Sequence, residues 1–415
     1  MMLVICTRAQ KVLVPQLYVK TQPGDLDGSG ALLAGKDVNL NLSGDLTNSG
    51  TIAGRNVVNL TAENVNNLVG RIGGNDVSVA ARQDLNNIGG SISAVNSLNA
   101  SAGRDLNVQT TTTSGTNAQG SHTGIDRVAG LYVSGANGVL VASAGRDLNI
   151  VAGVVSNAGN GNTSLGAGNH FNLASVQTEQ SHHIVWDANN RRNDSATQDV
   201  GSSVSGGGNV NLRAGNDLTA TAANVQAKEA LNVQATTINV QAGQASQTVD
   251  EAHQHTSKGF LSSTTVTTRD SSASTTALGS NLGGDTVSLN ATKDINIKGS
   301  NVVADRDTTL TAGGNVNIEA AQNTSQQSSY RQETKSGLMS GGGIGVSVGT
   351  RKQSLDQQDT TTTAAASTVG AVNGNVTISA GNQYKQVGSD VLTPKGDINI
   401  TAKTVDIQEA RETNK

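Results

Sequence analysis

The chain has 415 residues, of which 35% are hydrophobic and only 2% aromatic, with a net charge of −4. So few aromatic rings exclude an ordinary enzyme core and a base-stacking surface. The charge is thinly spread, with no Lys/Arg stripe of the kind that binds nucleic acid, and the single cysteine, Cys6, excludes an intramolecular disulfide and a cysteine-based zinc site.

Residues 1 to 23 carry no clear signal. Met1 to Cys6 is apolar but too short for a signal core, and Arg8 and Lys11 follow at once. Val12 to Val19 is broken by Pro15, and no window approaches a membrane-spanning helix. This stretch reads as the ragged edge of a larger repeat array.

From residue 24 a short motif returns, [DN]-Φ-N-Φ with Φ aliphatic. Examples are Asp37-Val38-Asn39-Leu40, Asp105-Leu106-Asn107-Val108, Asp147-Leu148-Asn149-Ile150 and Asp294-Ile295-Asn296-Ile297. Through residue 108 the steps alternate between about 8 and about 12 residues, so the period is about 20, within the range of solenoids. Side chains alternate within each motif: Val38, Leu40 and Leu42 face one way, Asn39 and Asn41 the other. Period two with one apolar face is the pattern of a half-buried strand. Corners repeat as Ala-Gly-[KRN]-[DN], at Ala34-Gly35-Lys36-Asp37, Ala102-Gly103-Arg104-Asp105 and Ala214-Gly215-Asn216-Asp217. These residue types favour turns. A corner at the same place in every coil stacks the strands in parallel, about 4.8 Å apart. The expected fold is all-β, a right-handed parallel β-helix with a core of Val, Leu, Ile and Ala, with Asn side chains stacked into ladders. About 13 to 16 coils would make a rod on the order of 60 to 80 Å long. No cap is evident at either end, as expected of a fragment.

From 109 to 415 the coils alternate with long polar insertions, at about 109–140, 176–206, 243–283 and 321–372, rich in Ser, Thr, Gln and Gly. Their composition predicts polar, partly disordered loops. They hold Tyr132, Trp186, Phe260 and Tyr330, most of the chain's few aromatics. Insertions of a solenoid commonly form its contact face. These four residues, with Leu338 and Met339 of the Lys335-Ser336-Gly337-Leu338-Met339 segment, are therefore candidate contact residues. After that segment, Ile344, Val346 and Val348 alternate in a glycine-rich setting, as in an edge strand or a strand facing lipid.

Chemical sites are sparse. Asp recurs at corners beside a cation, as in Lys36-Asp37, Arg104-Asp105 and Arg146-Asp147. Stacked aspartates could serve a polysaccharide-cleaving β-helix, the alternative reading. General acid–base work needs a convergent pair with separated pKa values, whereas regular recurrence points to turns and charge balance. His182-His183 and His253-x-His255 lack the further ligands of a zinc site and read as solvated histidines. Gly341 to Gly345 lacks the Lys-Ser/Thr of a phosphate loop. No catalytic residue, metal or cofactor is expected.

Taken together, the Ala-Gly-Arg-Asp-Leu-Asn-[VI] repeats and the runs Leu46-Thr47-Asn48-Ser49-Gly50-Thr51-Ile52-Ala53-Gly54 and Asp84-Leu85-Asn86-Asn87-Ile88-Gly89-Gly90-Ser91-Ile92 resemble filamentous haemagglutinin repeats. Residues 109 to 415 resemble the second repeat region of contact-dependent growth inhibition exoproteins. The resemblance covers about nine tenths of the chain. It implies a β-helical filament segment of a secreted adhesin or toxin-delivery exoprotein of a Gram-negative bacterium. Such a segment acts as a spacer and cell-contact surface and is not an enzyme. The implied partners are a recipient or host cell surface, an outer membrane and a two-partner transporter, with no nucleic acid. The Asn-Pro motifs of the family's secretion domain and its Val-Glu-Asn-Asn pretoxin boundary do not occur in this sequence.

Overall fold

The computed structural model describes residues 31–340 and 346–415. The expected N-terminal edge at 1–23, Ile344 and the glycines at 341–345 lie outside the described residues. Within them every regular element is a strand, arranged as a parallel β-helix carrying an antiparallel fin.

A coil consists of three strand segments. In the coil from residue 130 these are Gly130–Val133, Val139–Ala144 and Leu148–Val151. Equivalent segments pair in parallel from coil to coil: Leu148 lies between Leu106 and Phe171, and Leu140 between Leu98 and Thr163. The third segments form a sheet of twelve strands, and the first two share a sheet of twenty. Among the described residues there are twelve coils, against the 13 to 16 expected, because the hairpins described below take up much of the length. In the N-terminal coils the first two segments fuse into one bent strand, such as Thr51–Ala62, whose register shifts between Ala53 and Val57.

The alternation read from the sequence is what fills the interior. Val58, Leu60, Leu85, Leu106, Leu148, Ile150, Leu231 and Ile295 are fully buried in one continuous core. Phe171 and Tyr384 are buried in it too. Burial pushes the Tyr384 phenol up to about 12, and its hydroxyl donates to Gln386 Oε1 at 2.7 Å.

Asparagine ladders run along the stack. On the outer face Asn66, Asn86, Asn107, Asn149 and Asn172 link through amide bonds of 2.8–2.9 Å. A second ladder lies inside the wall, where Asn48 donates to Asn67 at 2.8 Å and Asn67 to Asn87 at 2.7 Å. A Cβ at Gly70 would run into the side chains of both Asn48 and Asn67, so glycine is required there.

The four insertions, expected to be polar and partly disordered, are polar but carry regular structure through most of their length. Each is an antiparallel hairpin. The first pairs Thr111–Asn117 with Gly120–Arg127, the second Val176–Asp187 with Asn190–Val200. The third pairs Gly243–Lys258 with Ser262–Leu278, the fourth Ala321–Ser340 with Val346–Ala365. Neighbouring hairpins pair with each other as well, Ser121 with Ser181, Thr197 with Ser246 and Thr268 with Arg331. With Thr413–Asn414, which pairs with Thr362 and Thr361, they make a nine-stranded antiparallel sheet. This sheet is the fin.

Spacing explains why the fin closes up. All four hairpins leave at the corner after a third segment. From residue 109 onward, hairpin corners alternate with tight corners at Ala152, Ala222, Gly299 and Gly388, all at positive φ. Two coils rise about 9.6 Å, and the two strands of a hairpin are about 9.6 Å wide. One hairpin per two coils therefore brings each into hydrogen-bonding distance of the next.

Candidate functional site

The fin has two regions able to meet a partner, its stepped tips and its flat faces. Hairpin strands lengthen along the chain, from 7 and 8 residues in the first to 12 and 11, then 16 and 17, then 20 and 20. Each hairpin thus reaches farther than the one before it. The first three turns each bond to the next hairpin: Gln119 O accepts from His183 N at 2.7 Å, Asn190 Oδ1 from Gln254 N at 2.8 Å and Leu261 O from Leu338 N at 2.9 Å. The turns use local side-chain caps: Asn117 Oδ1 accepts from Gln119 N and Asp187 Oδ1 from Asn189 N, both at 2.8 Å.

Most of the candidate contact residues lie at these tips. Phe260 is 99% exposed in the third turn, beside Leu261. Trp186, exposed at the second tip, packs its ring on His253 with centroids 5.5 Å apart. Leu338 is exposed and Met339 half-buried at the fourth. Opposite them stands exposed Val348, which pairs with Leu338. Charged groups flank this apolar rim: Lys258 precedes the third turn, and Lys335, whose ammonium lies 2.7 Å from Glu333 Oε1, pairs in register with Arg351 beside Lys352, while Asp187 caps the second turn. Tyr330 lies farther down the fourth hairpin, opposite Arg269 and Asp356, with its hydroxyl bonded to Gln332. Tyr132 is not in a hairpin. It belongs to the helix wall, in Gly130–Val133, half-buried, and burial raises its phenol pKa. Residues 128–140 thus rejoin the coil.

The histidines sit in the fin strands. His182 Nδ1 lies 2.9 Å from Asp194 Oδ2, and His183 contacts Asn193. Among the described residues no group of three or more His, Cys, Asp or Glu side chains is placed to hold a metal. The corner aspartates are engaged structurally. Arg104 forms an ion pair with Asp84, Arg146 with Asp105 and Arg306 with Asp285. The hydrogen bond from Arg104 holds the Asp84 carboxyl below the usual carboxylate range, and Arg306 does the same to Asp285. Asp294 Oδ1 accepts the backbone N–H of Asn315 in the next coil at 2.7 Å. A lowered pKa is the reverse of what a general acid requires.

The corner that launches the hairpins carries a feature absent from the sequence reading, a set of buried hydroxyls. Thr110, Ser202, Ser280 and Ser367 are each 2% exposed or less, where the chain enters or leaves a hairpin. Ser202 Oγ donates to Ala174 O at 2.8 Å, Ser280 Oγ to Gln241 O at 2.8 Å and Ser367 Oγ to Glu319 O at 2.7 Å. Each of these three carbonyls also accepts a backbone N–H from a tight corner, of Ala152, Ala222 and Gly299 respectively, so the hydroxyl adds a second bond that ties the hairpin root to the neighbouring coil. The sequence carried little signal for them, since Thr110, Ser202 and Ser367 each adjoin another Ser or Thr.

Comparison with known proteins agrees with this architecture. The family model described as "Hemagglutinin repeat" matches residues 187–269 and 261–415, more than half of the chain. A tRNA nuclease CdiA-2 of Burkholderia pseudomallei is 36% identical over 265 residues, 62% of this chain and 8% of that protein. A 16S rRNA endonuclease CdiA of Enterobacter cloacae is 36% identical over 218 residues, 52% of this chain and 6% of that protein. A tRNA nuclease CdiA of Escherichia coli O6:K15:H31 is 41% identical over 151 residues, 36% and 5% respectively. The chain thus spans less than a tenth of each of these curated relatives. No solved structure gave a significant match. The repeating coils, the hairpins at alternate corners and the family match lead to one assignment: the chain is a β-helical segment belonging to the haemagglutinin-repeat family.

Proposed function

We propose that this segment is the non-enzymatic spacer and contact surface of a secreted or cell-surface exoprotein of a Gram-negative bacterium. The parallel coils supply stiffness and reach, since every coil is hydrogen-bonded to the next along one core. The exoprotein is exported by a two-partner transporter and meets a recipient or host cell. What supports a contact role is the rim of the fin. Trp186, Phe260, Leu261, Leu338, Met339 and Val348 are apolar side chains at the tips, beside the cations Lys258, Lys335, Arg351 and Lys352. An apolar wedge with a basic collar suits an anionic membrane surface, where rings insert among headgroups and cations meet phosphates. The nuclease activities named for the relatives belong to proteins more than ten times longer than the matched region, and this reading gives the segment none of them.

The test is co-sedimentation of the 415-residue chain with outer-membrane vesicles. Phe260→Asp combined with Leu261→Asp lowers the bound fraction several-fold, and replacement of 321–365 by a two-residue turn, which spares the coil strand Thr368–Ala371, abolishes binding. Unchanged binding in both variants counts against the tips. The alternative, polysaccharide cleavage at stacked corner aspartates, requires release of reducing ends from a glycan panel.

A further inference from the structure

We propose that one face of the fin is a saccharide-binding trough, separate from the tips and independent of the contact role assigned to them. Two adjoining cavities lie on this face, of 630 Å³ and 480 Å³, and they share Asp250, Ser271 and Ser328. Both volumes are within the range of ligand sites. Together they draw on both strands of the second, third and fourth hairpins. A ligand laid across six strands would extend about 24 Å, which calls for a chain-like molecule.

The register shows how the lining arises. Asn193, Asp250, Ser271, Ser328 and Gln358 fall in one cross-strand row. The neighbouring row on the same face contains Arg269, Tyr330 and Asp356. Some side chains of this face bond to each other: Ser195 Oγ meets Thr248 Oγ1 at 2.6 Å within the larger cavity, and Thr197 Oγ1 meets Ser246 Oγ at 2.7 Å outside it. Ser271, Gln326, Ser328 and Gln358 differ, for their side chains make no hydrogen bond to another described residue, although all line the larger cavity. The trough therefore offers hydroxyls and amides that both donate and accept, set in repeated rows.

That chemistry selects a ligand class. An apolar peptide or acyl chain would strand these groups without partners, at a cost for each. A polyanion needs a run of cations, but on this face the guanidiniums of Arg191 and Arg269 stand among the carboxylates of Asp250 and Asp356, with Arg191 3.5 Å from Asp250 Oδ1. A neutral oligosaccharide satisfies both requirements. Its hydroxyls pair with the rows, and the Tyr330 ring offers a face to a pyranose.

Titration calorimetry of the full 415-residue chain with neutral hexasaccharides tests the assignment, using N-acetylglucosamine and glucose hexamers, with a heparin hexasaccharide as the polyanion. A neutral hexamer binds. Ser271→Lys and Ser328→Lys, which fill the trough from exposed or half-buried positions, weaken it at least tenfold without moving the melting temperature. Gln357→Lys, on the opposite face, leaves it unchanged. Absence of heat with both neutral hexamers at millimolar concentration overturns the assignment, as does preference for heparin or an equal loss in the Gln357→Lys control.

Discussion

The helix and the fin solve the same problem, the pairing of backbone groups, with opposite chemistries. In the helix each coil buries aliphatic side chains such as Leu60, Leu106 and Leu231 in a common interior, and burial drives the stacking. The fin has no such interior. Both faces carry Ser, Thr, Gln and charged residues, mostly exposed or half-buried. Its strands are held by ladder hydrogen bonds, by cross-strand hydroxyl pairs and by roots clamped at buried serines. An isolated polar hairpin is marginal in water. The lesson is that the coil stack acts as a ruler, setting the spacing at which polar hairpins can support one another.

The sharpest way to break this comparison is to remove one hairpin. Replacing 243–278 by a two-residue turn takes away the strand partners of both Asn190–Val200 and Ala321–Ser340. The coils persist, while the second and fourth hairpins become sensitive to protease; hairpins that remain resistant would show that they stand alone. Within the helix, Leu148→Ala removes a fully buried side chain between Leu106 and Phe171. The expected loss is about 2–5 kcal/mol, read from chemical denaturation. A comparable truncation at Thr248, on the fin, should change little.

Asn67→Ala tests the inner ladder. It leaves Asn48 and Asn87 without their shared partner and removes one of the two hydrogen bonds to Gly70 O, the other coming from Ser91 N. Stability should fall by about 1–3 kcal/mol, more than for Asn107→Ala on the outer ladder. A smaller effect comes from pH. The Asp84 carboxyl is depressed by Arg104. Its contribution is therefore fully present above the unfolded carboxylate range, near pH 4, and is lost as pH falls through the lower folded value. Arg104→Gln should flatten that part of the stability profile. The smallest expected effect is a gain. Ala222, at φ 50°, occupies a left-handed corner, and Ala222→Gly should stabilise by a few tenths to about 1 kcal/mol.

Much of the helix was legible because its signal is local. Leu148, Ile150 and their equivalents alternate within five residues, and the Ala-Gly corners repeat beside them. The outer Asn ladder follows from the same repeat. Asn48, Asn67 and Asn87 lie inside the wall because a glycine beside each leaves room, a property of two coils together. The fin was not legible as a sheet. Its strands, such as Gly243–Lys258, show no apolar alternation, since neither face is buried. Their register depends on which corners are tight, and three of the residues at positive φ are Val69, Ala152 and Ala222 rather than glycine. Trp186 and Phe260 stood out as rare aromatics, and their placement at stepped tips required strand lengths that only the paired sheet reveals. The trough is harder still, being assembled from residues more than a hundred positions apart.

Hydrogen exchange resolved along the fin addresses the central claim most directly, that alternate-coil spacing zips the hairpins into one sheet. Amides of Asn190–Val200, Gly243–Lys258 and Ser262–Leu278 that bond across and between hairpins should be protected for hours, close to the coil strands they spring from. Exchange of these amides within seconds, beside protected coils, would contradict the account and return the hairpins to the status of loose loops.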